Sequence, residues 1–409
     1  MAVSVEEAFE LIYKHTVLKT TEMIPIELAL QRVLAENITA AHNLPPYDNS
    51  AMDGYGIVCD DAGKSIEVLD TIFAGDNKEI TIFKGSGVKI MTGARIPKGC
   101  ECVVPVENTT ADGDNVILPK NLKAGQHIRL CGEDIEAGDV LLKAGAVLHA
   151  HHIALLASQG ISHISVRKRP RVALFASGSE LKMHFENVQA YQLYNTNTPS
   201  IAARCSELGC DVTFVGTAAD TLEDIHEHIT GALDSDLIVT SGGVSVGDAD
   251  YTKEAFGAFG METFFDKIDI KPGKPTTVGR IGSTMILNLP GNPLAAALNF
   301  ELFGQSIILA LSGTSEKYPG TLRAVMQEDY RVKPGRRTLI PGIYDGTGFK
   351  PCEKFAPGMV SPLAKANGFI MLDETVSQLH KGDPVKVIPT RFAFNKNSAE
   401  SLTTQPGLP

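Results

Sequence analysis

The sequence predicts an α/β and β multidomain protein: a doubly wound parallel α/β domain, a β-rich domain, a mixed N-terminal domain and a C-terminal β domain. Three observations predict it. From Arg171 to Leu311, short apolar runs alternate with helix-length segments, the pattern of a parallel sheet with right-handed crossovers. From Ile57 to Leu130, short β-type runs alternate with Gly, Asp and Asn turns, as in a domain of short strands. After Gly313 short strands return. A chain of 409 residues has room for two to four domains of about 100–200 residues.

The elements follow in order. Val5, Ala8, Phe9, Ile12 and Tyr13 recur at helical spacing, which predicts a helix over 4–18. Ser4 and Glu7 have the spacing of a capping box. A second helix is expected over Ile26 to Val33. The loop NLPPYDNSAMDGYG, Asn43 to Gly56, is irregular backbone by its Pro-Pro, Asp-Asn and Asp-Gly content. A helix is expected from His151 to Gln159, with Gly160 at its C′ position. RVALFAS, VTFVG, DLIVTSG and TMILNLPG read as strands of the α/β domain. Between and after them, Thr198 to Leu208, LEDIHEHITGAL, ADYTKEAFGAFG and the apolar PLAAALNFELFGQSIILAL read as helices. TLRAVMQE, RTLIPGIY, GFIMLD and DPVKVIP read as C-terminal strands. The expected boundaries are 1–43 with 131–168 for the discontinuous N-terminal domain, 44–130, 169–316 and 317–392. The tail 393–409 lacks apolar periodicity and is expected to be disordered.

Composition excludes several classes. The formal charge of −11 disfavours general nucleic-acid binding through a basic surface. Seven irregularly spaced cysteines without a CxxC pair argue against a disulfide framework and a structural zinc site. Cys100 and Cys102 are two apart, which in a strand points both to one face. The acidic start lacks the basic and apolar regions of a signal peptide, and no apolar stretch reaches the ~20 residues of a membrane span. A cytoplasmic protein without membrane contact is expected. His149, His151 and His152 open an ordinary amphipathic helix.

An acidic chain that binds an anion does so locally, through lysines, backbone N–H groups or a cation. The segment Asp236 to Pro293 carries three such features. In DLIVTSGGVSVGDADYTK an apolar strand ends at Thr240, and Ser241, Gly242, Gly243, Ser245 and Gly247 follow. Glycines let backbone approach a ligand and aim N–H groups at one oxyanion, and the helix after the loop adds its positive end. Asp248 and Asp250 at that entrance repel phosphate unless a cation intervenes, and Mg²⁺ binds carboxylates and phosphate oxygens together. The bland alternative is a Gly-rich turn capped by Asp250. In DIKPGKPTTVG, Lys271 and Lys274 flank Pro272 and Gly273; a stiff loop presenting two ammonium groups suits a polyanion, and a solvated turn between strands is the alternative. In NLPGNPLAAALNF, Asn292 and Pro293 follow Pro290 and Gly291 at N-cap and first helical positions, so capping alone explains it. Asp53 in MDGY, Asp134 in GEDI, Glu180 in SGSEL and Asp220 after VTFVG complete the acid set. Each singly is more often a cap or turn residue, and Asp220 is a natural cap for the helix after it.

Taken together, PPYDNSAMDGY, IMTGARIPKGC, RLCGEDI, VTSGGVSVGDADYTK, KPGKP and LPGNP resemble the molybdopterin molybdenumtransferase (MoeA) family, which is similar to the E domain of gephyrin. The resemblance runs from about Val5 to about Pro389. It implies insertion of molybdenum from molybdate into adenylylated molybdopterin, with Mg²⁺, releasing AMP. It also implies an elongated homodimer of four-domain subunits, with the cleft between the α/β domain of one subunit and the N-terminal and β domains of the other. The preceding adenylyltransferase and molybdoenzyme apoproteins are the further partners considered. Asp53, Thr92, Asp134, Glu180, Asp220, Asp250, Lys271 and Lys274 match the family's active-cleft positions, and Pro290 and Pro293 its proline loop. The expected Mg²⁺ ligands are Glu180, Asp220 and Asp250; Asp53 and Asp134 are expected to act from the partner subunit. The family word TGDEL reads SGSEL here, with Ser179 for an acid. An arginine before a glycine becomes Pro341-Gly342, and a serine of a QGSG-like word becomes Pro357 in APGMVS. Arg336, Arg337 and Ser361 are the candidates to replace the lost molybdate contacts. The alternatives are an adenylyltransferase acting on molybdopterin, and a paralogue that binds cofactor or serves as a scaffold without turnover.

Overall fold

The computed structural model describes residues 2–243 and 251–391. Asp248, Asp250, Ser245 and Gly247 lie outside them, as does the tail from 393.

Helix Val5–His15 starts on the expected capping box: Ser4 Oγ accepts from Glu7 N at 3.1 Å, and Glu7 Oε2 accepts from Ser4 N at 2.8 Å. Its apolar face buries Val5, Ala8 and Ile12 in a core shared with Ile307 and Leu311. The second expected helix is a correction. Only one 3-10 turn forms, Ile26–Leu28, because Gln31 adopts a left-handed φ of 60°. The backbone there bonds outward instead, with Gln31 N to Leu148 O and Leu34 N to Ala146 O. Helix Ala150–Ser158 is followed by Gly160 at φ 68°.

The segment 54–117 forms a six-stranded mixed sheet with buried Ile57, Val88, Ile90 and Val104 on its two faces. Cys102 opens the strand Cys102–Pro105 and is buried. Cys100 stays outside that strand, so the two thiols do not share a strand face, and Cys102 Sγ meets Cys59 Sγ at 3.1 Å.

The α/β sheet holds four parallel strands in the order Asp211–Ala218, Arg171–Ser177, Leu237–Ser241, Thr284–Leu289. Two antiparallel strands, Thr277–Ile281 and Glu262–Phe265, extend one edge. Arg171–Ser177, Leu237–Ser241 and Thr284–Leu289 are nearly continuous apolar runs because both faces are covered, whereas the edge strand Asp211–Ala218 is half exposed. Val172, Leu174 and Val239 point to one core, and Ala173, Phe175 and Ile238 to the other. Helices Asn197–Glu207, Leu222–Ala232 and Tyr251–Ala258 supply the crossovers.

The apolar run after Pro293 corrects a second expectation. Helix Pro293–Asn299, a π-helical turn Phe300–Gly304 and helix Gln305–Ser312 form one 20-residue helical stretch, apolar and long enough to span a membrane. It is a core helix here, 78% buried.

The C-terminal sheet contains Leu322–Met326, Arg337–Tyr344, Gly348–Pro351, Gly368–Leu372 and Pro384–Pro389. Its sixth strand is Ile270–Lys271, paired in parallel with Arg337 and Thr338. The KPGKP loop therefore leaves the α/β layer and is anchored on the C-terminal sheet, which is more than a turn between two α/β strands.

Candidate active site at the strand ends

The four parallel strands end almost level: Ser177 is opposite Ala218, Ala176 opposite Ser241, and Ser241 opposite Leu289. The loops that follow them converge, as open parallel sheets require. They line a cavity of about 710 Å³ with Glu180, Asp220, Ser241, Gly242, Gly243, Gly291, Asn292 and Pro293 among its walls. The Gly-rich, proline and acid-bearing loops of this sheet thus belong to one place.

Asp220 does not cap the following helix. Thr221 does, its hydroxyl accepting from Asp224 N. Asp220 instead turns inward: Oδ1 accepts from Ser177 Oγ at 3.1 Å and Oδ2 from Ser179 N at 3.0 Å. Ser179 Oγ accepts from Asp220 N at 3.1 Å. The serine that departs from the family word thus closes a reciprocal clasp between the first two strand-end loops.

Gly242 lies at φ 101°, and a Cβ there would sit 2.2 Å from Ser177 O. Only glycine lets this loop pass so close. Ser241 Oγ donates to Pro290 O at 3.2 Å. Asn197 Nδ2 donates both to Ser241 Oγ at 2.6 Å and to Gly291 O at 2.9 Å. Asn197 was invisible to motif reasoning, because an Asn in NTNTPS at a helix start reads as a cap or turn residue.

Asn292 occupies the N-cap position but makes no side-chain cap bond, while Pro293 takes the first turn. Leu294 N donates to Pro357 O at 3.0 Å instead. The APGMVS loop of the C-terminal sheet therefore caps the helix Pro293–Asn299, freeing Asn292 to face the cavity, and Gly358 and Val360 join its wall.

Lys271 and Lys274 are exposed and outside the residues lining this cavity. Their loop is fixed from below. A Cβ on Gly273, at φ 106°, would lie 1.9 Å from Asn299 Nδ2. Buried Asn299 donates to Ala295 O at 2.7 Å and Pro272 O at 3.2 Å, and accepts from Thr276 Oγ1 at 3.0 Å.

Asp53, Thr92 and Asp134 are exposed and do not line the cavity either. Asp53 Oδ1 accepts from Thr92 N and from Thr92 Oγ1, both at 2.7 Å. Those bonds, the backbone one first, hold the Asp53 carboxyl below the usual carboxylate range. Of the C-terminal substitutes, Arg337 is committed: its Nη1 donates to both Glu6 carboxylate oxygens at 2.6 and 2.7 Å. Arg336 and Ser361 are exposed, and Pro341 is buried within its strand.

A doubly wound sheet with a cavity at its strand ends, flanked by three further β-bearing regions, defines a multidomain α/β protein with a strand-end binding site. Residues 173–310 match the molybdopterin-binding domain, 3–160 the MoeA N-terminal region (domain I and II) and 323–390 the MoeA C-terminal region (domain IV). Molybdopterin molybdenumtransferase of Staphylococcus epidermidis is 34% identical over 403 residues, 95% of this chain and 96% of that protein. The Haemophilus influenzae enzyme of the same name is 34% identical over 384 residues, 90% and 94% of the two chains. Two crystal structures of molybdopterin biosynthesis MoeA protein from Pyrococcus horikoshii superpose with TM-scores of 0.80 and 0.83. They are 29% and 25% identical and cover 96% and 95% of this chain, and 100% and 99% of theirs. The chain belongs to the molybdopterin molybdenumtransferase family, and it is an enzyme of molybdenum cofactor biosynthesis.

Proposed function

We propose that this enzyme inserts molybdenum from molybdate into adenylylated molybdopterin in a Mg²⁺-dependent reaction that releases AMP, and that it works in the cytoplasm as a homodimer. The observation that carries this reading is the convergence of Glu180, Asp220 and the Ser241–Gly243 and Gly291–Pro293 loops on one cavity. A substrate with a pyrophosphate linkage needs backbone donors, a helix N-terminus and a carboxylate-bound cation at one place.

The donor set fits Mg²⁺. Glu180 and Asp220 are hard carboxylates lining one cavity. That suits an ion that keeps waters and takes one or two carboxylates plus phosphate oxygens. Asp250, the third expected ligand, lies outside the described residues. When bound, the ion neutralises charge on the pyrophosphate. The chain's own groups do the rest. The Gly242–Gly243 loop receives phosphate oxygens, Asn197 keeps that loop against Gly291, and the Ser177–Asp220–Ser179 clasp orients the carboxylate. Lys271 and Lys274 supply positive charge for the leaving phosphate or for molybdate.

Exposure of Asp53, Thr92 and Asp134 away from this cavity supports a site completed by a second copy of the chain. Incubating adenylylated molybdopterin with and without molybdate and Mg²⁺ tests the reading. AMP release that needs both is expected. AMP transfer from MgATP to molybdopterin would assign the chain to the preceding adenylyltransferase step, and silence under all conditions to a non-catalytic paralogue.

A further inference from the structure

A second cavity lies at the other end of the strand Arg171–Ser177 from the strand-end loops, where the strand His163–Arg167 leads through residues 168–170 into it. We propose that it binds a small tetrahedral oxyanion of the phosphate or sulfate class. The cavity measures about 210 Å³, and Arg32, His149, Arg167, Lys168, Arg169 and Glu207 are among its lining residues.

Arg167 and Arg169 are each held by one side-chain anchor, and Arg32 by two, Arg167 O and the Glu22 carboxylate. Arg32 Nη2 donates to Arg167 O at 2.8 Å, Arg167 Nη1 to Lys19 O at 3.1 Å, and Arg169 Nη1 to Gly209 O at 2.9 Å. Each guanidinium has five N–H donors, so most remain for a ligand. Charge is also left over. Arg32, 7% exposed, is paired with Glu22. Glu207, the one acid among the lining residues, shares Arg204 with Glu301, at 2.9 Å from each. Among the described residues, no carboxylate forms an ion pair with Arg167, Lys168 or Arg169. Three successive cationic residues without an ion pair among the described residues line one hollow on a chain whose net charge is −11.

Two helices end at this cavity, and a helix C-terminus disfavours anions. Several carbonyls near these ends are already used: Gly209 O by Arg169, Leu309 O by Thr314 N, and Leu311 O by Lys19 N. At about 30 Å³ per water, the volume holds a tetrahedral oxyanion with part of its hydration shell. Such an ion bridges the N-terminal segment at Arg32 and the α/β layer at Arg169, tightening the joint between them.

Thermal unfolding and calorimetric titration of the full chain with inorganic phosphate and with sulfate test this. Phosphate is expected to raise the melting temperature of the wild type. Lys168→Gln combined with Arg169→Gln is expected to weaken phosphate binding at least 10-fold while leaving turnover unchanged. Asp220→Ala, in the strand-end cavity, is expected to keep the phosphate response, which separates the two sites. Lys168→Gln alone guards against misfolding: its exposed side chain makes no hydrogen bond among the described residues, so its melting temperature without phosphate should match wild type while its phosphate response weakens about 3-fold. No phosphate response in the wild type, an unchanged response in the double or single variant, or loss of the response in Asp220→Ala overturns the proposal.

Discussion

At the ends of the parallel strands, Asp220 accepts hydrogen bonds from Ser177 and Ser179, and its own backbone is gripped by Ser179 Oγ. Outside that cavity, Asp53 stands exposed with Thr92 as its partner through two bonds to one oxygen. The first carboxylate is held by strand-end loops positioned by the buried strand Arg171–Ser177 and its paired edge strand Asp211–Ala218. The second is oriented but open to water on its remaining side. The difference teaches how the work is divided. The α/β wall is organised by its own chain, because strand ends in register and a close-passing glycine leave its loops little freedom. In the proposed homodimer, the Asp53 side is the one that meets the second copy of the chain.

The comparison breaks first at Asp220. Replacing it by Ala removes a cavity carboxylate and the clasp between two loops. A loss of about 10²-fold in kcat/KM is expected, with a raised Mg²⁺ requirement; steady-state kinetics over a Mg²⁺ series measure it, and near-normal turnover would remove Asp220 from the metal set. Asn197 comes next. Both of its bonds to the Ser241 and Gly291 loops are donated by Nδ2, so Asn197→Asp should be as harmful as Asn197→Ala despite its shape. About a 10-fold loss in kcat/KM is expected from each. An Asp variant that behaves like wild type would show that the bridge between the loops is irrelevant to the site.

Much of the α/β wall was legible in the sequence, for a physical reason. Strands buried on both faces write themselves as apolar runs, and the residues that end them, Ser177, Ser241 and Leu289, carry loops to a common edge. The glycines of TSGG and the prolines of LPGNP announced irregular backbone there. What stayed hidden depends on long-range partners. Nothing local in NTNTPS says that Asn197 bonds residues 44 and 94 positions away. Nothing in LPGNP says that Pro357 O caps its helix. Thr221 took the cap expected of Asp220 because its hydroxyl reaches Asp224 N, and Gln31 broke an expected helix because its backbone bonds went to residues near 148.

Asn299 gives a smaller and purely structural effect. Its buried amide joins Pro272, Ala295 and Thr276, so Asn299→Ala leaves polar groups without partners and should cost about 1–3 kcal/mol in unfolding free energy. Chemical denaturation checks it. A loss of that size with unchanged Lys271 and Lys274 reactivity towards an amine-directed reagent would mean that the KPGKP loop holds its shape without this support.

The smallest effect tests the open side of the comparison. The Thr92 hydrogen bonds hold the Asp53 carboxyl below its ordinary value, which is near 3.9 in an unfolded chain. A depressed folded value means that Asp53 adds stability above the unfolded pKa and loses it as pH falls through the folded one. Thr92→Ala removes the hydroxyl bond and keeps the backbone N–H, the larger of the two causes. The Asp53 carboxyl should therefore rise only part of the way to its ordinary value, and carboxyl-carbon NMR titration of the two proteins reads the shift directly. Because Asp53 is exposed, the melting temperatures at neutral pH should coincide. If Asp53 must be ionised for turnover, the acid limb of the activity profile should move up with its pKa. An acid limb that stays fixed while the NMR value moves would separate this carboxylate from the reaction and leave the α/β wall to act alone.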